Sequence, residues 1–410
     1  MNRYTQVLSF VAQLYGRKAA LGYQAYVRRN PIARIQSRPG RDNPYAIYEQ
    51  LRAGGPITET RMGLLVTTSH RVSNLVLRDR RFGVTIEGQG QAGLDLSFVE
   101  KDPPDHTRLR RLAQPAFSPR AMSGYQGRIE ETVERLLAEA ARRGRFELVS
   151  SFAAPLPISV ITEMLGIADA DAEAFADYGR VLGSAIDGVQ SLGHAKRLMA
   201  NDIKLRELFG RLFTSRREEP RDAIVSRIVA AEGEQIRPEE MVPMCTLLLI
   251  AGFETTVNLI GNAVVALMDH PEQWKQLCAD PGLADRVVEE TLRYDPPVQR
   301  TSRVAKETLE LEGRTVRKGQ WIAILIGAAN RDPEVYERPS TFDIHRSPGV
   351  DHLAFSSGIH YCVGAPLAQL EATIALRMLA ERMPGLRPAG RVKRRNANTI
   401  RGPIHLPVAC

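Results

Sequence analysis

The stretch HLAFSSGIHYCVGAPLAQLE, His352 to Glu371, decides the fold. It is a glycine-bearing loop that hands one cysteine, Cys362, to the start of a helix. Leu367, Leu370, Ile374 and Met378 recur at steps of three and four, which predicts a helix from about Gly364 to Arg382 with an apolar face. A cysteine at a helix N-terminus meets backbone N–H groups and the positive dipole end, which favours thiolate. Gly358 permits a turn closed to other residues, and Gly364 permits close approach by something flat. Phe355 can shield the sulfur from water, and His360 lies two residues before it.

Several chemistries compete for such a cysteine. A buried inert thiol is the default for a lone one. A nucleophile pair with His360 is a second reading. Zinc needs more soft ligands than this segment offers. An axial thiolate on haem iron needs only one cysteine.

The next informative stretch is TLLLIAGFETTVNLI, Thr246 to Ile260. It sits inside Met241 to Met268, where Glu254 is the only charge. By hydropathy that run is a membrane-span candidate. A central charge costs about 2.5–3.5 kcal/mol there, and Asn258 and Asn262 add polarity. The better prediction is a helix buried on all sides, opened by the acidic RPEEM and closed by Asp269, His270 and Pro271. Leu248, Ala251, Thr255 and Leu259 share a face, with Thr255 able to bond back to the Ala251 carbonyl. This segment alone supports two readings equally. One is a groove floored by Ala251 and Gly252, with a hydroxyl and a proton-exchanging acid at its rim. The other is a tight helix crossing at Gly252, with Glu254 paired to a buried cation.

The totals exclude several classes. The chain has 410 residues and a net charge of +8. Its four cysteines are scattered, so neither a disulfide framework nor a zinc cluster is indicated, and a reducing compartment fits. Its basic residues form no aromatic-rich stripe of the nucleic-acid-binding sort. The N-terminal segment mixes apolar and basic residues, is too broken to span a bilayer, and reads as an amphipathic lead-in helix.

Residues 40 to 80 read as helix followed by strands. Residues 84 to 101 are glycine-rich and aperiodic, a loop long enough to suggest function. From Asp102 to about 293 the pattern is almost wholly helical, and residues 298 to 326 turn to strand. The expected organisation is a lead-in over residues 1–40 and a single, mainly α domain with a minor β portion over 41–410.

Phe355, Gly358, His360, Cys362 and Gly364 match F-x-x-G-x-H-x-C-x-G, and here the chain resembles the cytochrome P-450 haem-thiolate monooxygenases, soluble bacterial type. The resemblance spans the chain from about residue 40. AGFETT (251–256) resembles the oxygen-activation motif of the family's central helix. Glu290 and Arg293 in ETLR resemble its E-x-x-R pair, which Arg346 completes. His106 and Arg110 in DHTRLRR, Arg303 and His360 resemble its contacts to the haem propionates.

The resemblance implies a triangular-prism-like fold with a long central helix over a buried haem b. It implies Cys362 as iron ligand, Glu254 as acid and Thr255 as alcohol. Ala251, Phe355, Gly358, Gly364 and Ala368 would border the cofactor. The implied reaction inserts one atom of O2 into a C–H bond of a lipophilic molecule. Expected cleft walls are residues 85–98, helices near 175–200, Leu248, Val298 and Ile400. Electrons would come from a ferredoxin-type donor with its reductase, docking where Arg108 and Arg111 face outward. Cytoplasmic location, no nucleic acid and no stable membrane insertion complete the expectation. A haem-thiolate peroxygenase or coupling enzyme and a non-catalytic haem sensor are the alternatives. Ser356 for glycine, Glu254 for aspartate and Gln369 for arginine depart from the common pattern, and Gln369 puts partner preference in doubt.

Overall fold

The chain's structure, a computed structural model, describes residues 3–60, 63–86, 95–167, 178, 181–184, 188–347, 349–395 and 397–410. Its axis is one helix, Pro238–Asp269. Pro238 fits the first helical position, where no N–H is needed. Glu239 and Glu240 occupy the first turn, and the Glu240 carboxylate accepts the Arg237 backbone N–H at 2.9 Å. Of its most apolar window, 83% is buried within the fold, so the length and hydropathy of a membrane span here serve a protein core.

Neighbouring helices wrap this axis. The helix Pro155–Leu165 crosses it closely at Gly252, where an added Cβ would lie 2.9 Å from Ile161 Cδ1. The cysteine helix, Ala365–Arg382, packs against both the central helix and the helix Pro119–Arg143. The helix Ala284–Tyr294 packs against both the cysteine helix and the central helix. Leu248, Leu249, Ile260, Val264, Leu367 and Leu376 belong to one continuous apolar core.

The β portion is small. Its main sheet has five strands in the order 57–59, 65–67, 321–324, 301–305, 82–83, with one parallel pair, 65–67 on 321–324. Here the reading of residues 40–80 needs correction, because a helix, His70–Arg78, follows the strands. Ser69 caps it, accepting the Val72 N–H, and Val72, Val76 and Leu77 at helical spacing seal it onto the sheet. A second correction falls in the helical stretch, where Arg145–Glu147 forms a strand paired with Pro407–Ala409. Three residues show no periodicity, so pairing with the distant C-terminus was not legible. Of the predicted loop 84–101, residues 87–94 lie outside the described residues, and Ser97–Glu100 forms a short 3-10 turn. Of the helices expected near 175–200, residues 175–177, 179–180 and 185–187 also lie outside them.

Candidate functional site

The cysteine loop is a closed backbone device. The Cys362 N–H donates to the Phe355 carbonyl at 2.9 Å, and Tyr361 N–H to Gly358 at 3.1 Å. The Leu353 N–H donates to Asn330 Oδ1 at 2.8 Å, tying the loop to the sheet side. Gly358 has φ +68°, and a Cβ there would lie 2.5 Å from the Leu77 carbonyl oxygen. Glycine is therefore required both for backbone angle and for space. Ser356 also takes a positive φ, +65°, so the serine stands where glycine would be relaxed.

Cys362 is accessible, yet its thiol lies deep within the protein. Burial pushes that thiol above its ordinary range, while N–H groups of Gly364 and Ala365 and the charge of Arg110 pull it back. The helix end thus acts as expected and is outweighed by burial. A bound metal cation would complete deprotonation outright. Ala368 sits on the first turn of the cysteine helix, its N–H donating to Gly364 at 3.0 Å. Phe355 is half-buried, 6.3 Å from the Tyr361 ring.

Beside the thiol lies a group of basic side chains drawn from three distant segments. The rings of His106 and His360 stand 4.4 Å apart. His106 is buried, and among the described residues neither of its ring nitrogens has a hydrogen-bond partner, nor does His360 Nε2. Arg110 donates to the Tyr361 carbonyl at 2.6 Å. Arg303, 5% exposed, donates to Ser302 O at 2.9 Å and forms no ion pair among the described residues. Burial lowers it to about 10. Burial, then Arg303 and His106, lower His360 to about 3. Buried donors without acceptors are costly, and two arginines with two imidazoles suit a ligand bearing two carboxylates. This donor set fits the propionates of haem, and Cys362 fits its iron.

The central helix turns an accessible strip inward from its buried length. Ala251 is exposed and Thr255 half-exposed amid buried neighbours. Thr255 Oγ1 donates to the Ala251 carbonyl at 2.9 Å. The two readings of this segment divide between residues. Gly252 is small because Ile161 packs on it, and buried Glu254 is ion-paired with Arg395, as the tight-crossing reading has it. Ala251 and Thr255 form the open strip. Leu248 is buried one turn earlier. Val298 and Ile400 meet in an isolated β-bridge, although they lie 102 positions apart in sequence.

Glu290 and Arg293 are buried and joined by two bonds, Nε–Oε2 at 2.7 Å and Nη2–Oε1 at 2.8 Å. Arg346 Nε adds 3.2 Å to Oε2. Arg293 also donates to the carbonyls of Asn330, Pro339 and Thr341. Every part of this network is satisfied, as a structural anchor should be.

One expectation fails. Arg108 does not face outward as a docking cation. It grips Glu240 with two bonds of 2.9 Å and Asp105 at 2.6 Å, joining the helix Asp105–Ala113 to the start of the central helix. Buried Glu240 draws it in, because a buried carboxylate requires a compensating cation. Arg111 is exposed as expected. Gln369 donates to Glu289.

Sequence reasoning missed three residues. Arg395 lies 141 positions from Glu254, in a short basic run with no periodic signal. Phe117 Cε1 would be 3.6 Å from a Cβ on Gly364. Glu371 is fully buried opposite the Thr256 hydroxyl, and burial raises its pKa well above the usual range. Its spacing of four from Leu367 already put it on the apolar face.

The chain is also similar to known proteins. The cytochrome P450 family profile matches residues 282–383. The biotin biosynthesis cytochrome P450 of Bacillus subtilis is 39% identical over 84% of this chain and 90% of its own. The structure of P450BioI in complex with acyl carrier protein ligated to hexadec-9Z-enoic acid is 37% identical, TM-score 0.84, over 90% of this chain and 98% of that one. CYP109E1 from Bacillus megaterium, in complex with testosterone, is 32% identical, TM-score 0.83, over 91% and 99%.

Proposed function

The chain belongs to the cytochrome P450 family, enzymes of the monooxygenase type that bind haem b, and from that premise we propose that it inserts one atom of O2 into a C–H bond of a lipophilic small molecule. The observation carrying this reading is the thiol of Cys362 near the imidazoles of His106 and His360, where both His106 nitrogens and His360 Nε2 have no hydrogen-bond partner among the described residues. When bound, haem supplies an iron whose thiolate ligand favours O–O cleavage.

In this reading Cys362 is the iron ligand, and His106, Arg110, Arg303 and His360 take the two carboxylates. Phe355, Gly358, Gly364 and Ala368 shape the cysteine side. Ala251 leaves room on the central helix. The Thr255 hydroxyl donates to Ala251 in the resting geometry and is placed to hold a polar oxygen species or water at its own oxygen. Glu254 moves protons at its carboxylate, alternating between Arg395 and the site. Retention of this acid and alcohol supports a monooxygenase over a peroxide-driven enzyme, which needs no proton relay. Residues 41–410 act as one catalytic domain behind the lead-in.

Leu248, Val298 and Ile400 supply apolar cleft wall. Two relatives solved with a fatty-acyl carrier protein and with testosterone support a lipophilic substrate. O2 and an external redox partner complete the reaction, and we take the donor to be a ferredoxin with its reductase in the cytoplasm. Arg111 is a candidate contact on that side.

The test is spectroscopic. Haem-loaded protein, reduced under carbon monoxide, should give the spectrum of thiolate ligation, and Cys362→Ala should lose it. Iron held by nitrogen in the unaltered protein would overturn the assignment.

A further inference from the structure

The whole net charge of this chain lies in its first 41 residues. That segment holds eight Lys and Arg and no Asp or Glu, so the remainder carries 47 of each sign. The first acid is Asp42. The catalytic reading uses none of these eight cations.

The segment also exposes apolar side chains. It folds as a helix, Arg3–Gly22, running into a π-turn, Tyr23–Val27. Tyr15, Tyr23, Tyr26 and Val27 are exposed at 50%, 49%, 61% and 65%. Arg17, Lys18, Arg28 and Arg29 stand exposed among them. Lys18 lies 5.8 Å from the Tyr15 ring, and Arg28 5.8 Å from that of Tyr23. Among the described residues, none of these four cations forms an ion pair.

Lys18 Nζ donates to the Gln190 carbonyl. Gln190 immediately precedes Ser191, which caps the helix Leu192–Glu218. That helix presents Leu192, Met199 and Ile203 to solvent at helical spacing, at 36%, 67% and 54% exposure. Lys196 stands exposed between them. Seven of the thirteen exposed large hydrophobic residues among the described residues thus fall on two elements joined by one hydrogen bond.

We propose that this basic, aromatic-bearing N-terminal element and the adjoining face of Leu192–Glu218 dock the protein on an anionic membrane surface. Nucleic acid would satisfy the cations but offers nothing matched to Val27, Met199 and Ile203, and an acidic protein would need an apolar patch of matching outline. A bilayer surface takes both. Headgroup phosphates receive Arg and Lys, tyrosines favour the interfacial level, and aliphatic side chains reach the acyl boundary. The contact is peripheral, since the segment's apolar run is too short to span.

Full-length, haem-loaded protein should sediment with vesicles of phosphatidylcholine plus phosphatidylglycerol at low salt. It should leave them at about 0.5 M NaCl, where screening shortens to a few ångströms. It should ignore vesicles of phosphatidylcholine alone. With each surface cation contributing about fivefold, the variant R17Q/K18Q/R28Q/R29Q should partition at least about 100-fold less while keeping its visible spectrum. Tyr23→Ser with Tyr26→Ser should weaken binding at unchanged charge. No sedimentation of the unaltered protein with anionic vesicles, undiminished binding of the charge variant, or tighter binding to duplex DNA than to vesicles would each overturn the proposal.

Discussion

Replacing Gly358 by alanine tests whether backbone contact holds the cysteine loop in place. The new Cβ would lie 2.5 Å from the Leu77 carbonyl oxygen and 3.0 Å from Arg78 Cα, and its residue has φ +68°. Neither neighbour is the tip of a flexible side chain, so loop or helix must retreat by about 1 Å to reach ordinary contact. The left-handed backbone costs alanine about 1–2 kcal/mol, and overpacking about 1–3 kcal/mol. Together these shift the folding equilibrium by roughly 30-fold to several thousandfold. Gly364→Ala is the control. There φ is −89°, and the nearest atoms are Phe117 Cε1 at 3.6 Å and Cys362 Sγ at 4.0 Å, so its cost to the cofactor-free fold should stay within about 0.5 kcal/mol. Thermal unfolding of both cofactor-free variants, followed by circular dichroism, measures the difference. The fraction giving the thiolate carbonyl spectrum after haem addition measures the consequence. Equal midpoints, or a lower midpoint for the Gly364 variant, would refute the reasoning.

Glu290→Gln should destabilise by about 3–5 kcal/mol, because it strands the buried Arg293. Arg346→Ala, at the 18%-exposed edge of the same network, should cost clearly less, and urea midpoints of the two will rank them. In Thr255→Ala, oxygen and reductant should still be consumed while hydrogen peroxide rises and product falls. Unchanged coupling would remove the hydroxyl from the proton path. Glu240 is held at about 2 against an ordinary 4.5. Burial alone would raise it, but hydrogen bonds from Arg108 and Arg237 override that effect. A depressed carboxylate stabilises the fold above pH 4.5, and the contribution fades as pH falls from there toward 2. Arg108→Gln should therefore flatten the loss of stability over that interval, by roughly 2 kcal/mol after discounting the exposed Arg237, and an acid titration followed by circular dichroism will show it.

Local pattern carried much of this protein. The loop before Cys362, the helix after it and the long apolar run around Glu254 are contiguous signals. Their reading depends on helical period, glycine and one conspicuous thiol, all visible within about 30 residues. The E-x-x-R pair was legible only through the family resemblance, since pairs one turn apart are common on helix surfaces.

Other features required the chain to be folded. His106, Arg303 and His360 come from three segments, and only packing brings their side chains around one space. The two readings of the central helix could not be separated in sequence, because the choice rests on Ile161 pressing against Gly252 and on Arg395 reaching Glu254. Arg108 looked like any surface cation until the buried Glu240 claimed it. Short-range periodicity fixes which residues are apolar together and where helices begin and end. Which buried charge meets which partner is a contest among distant groups for scarce hydrogen bonds, and three-dimensional packing decides it.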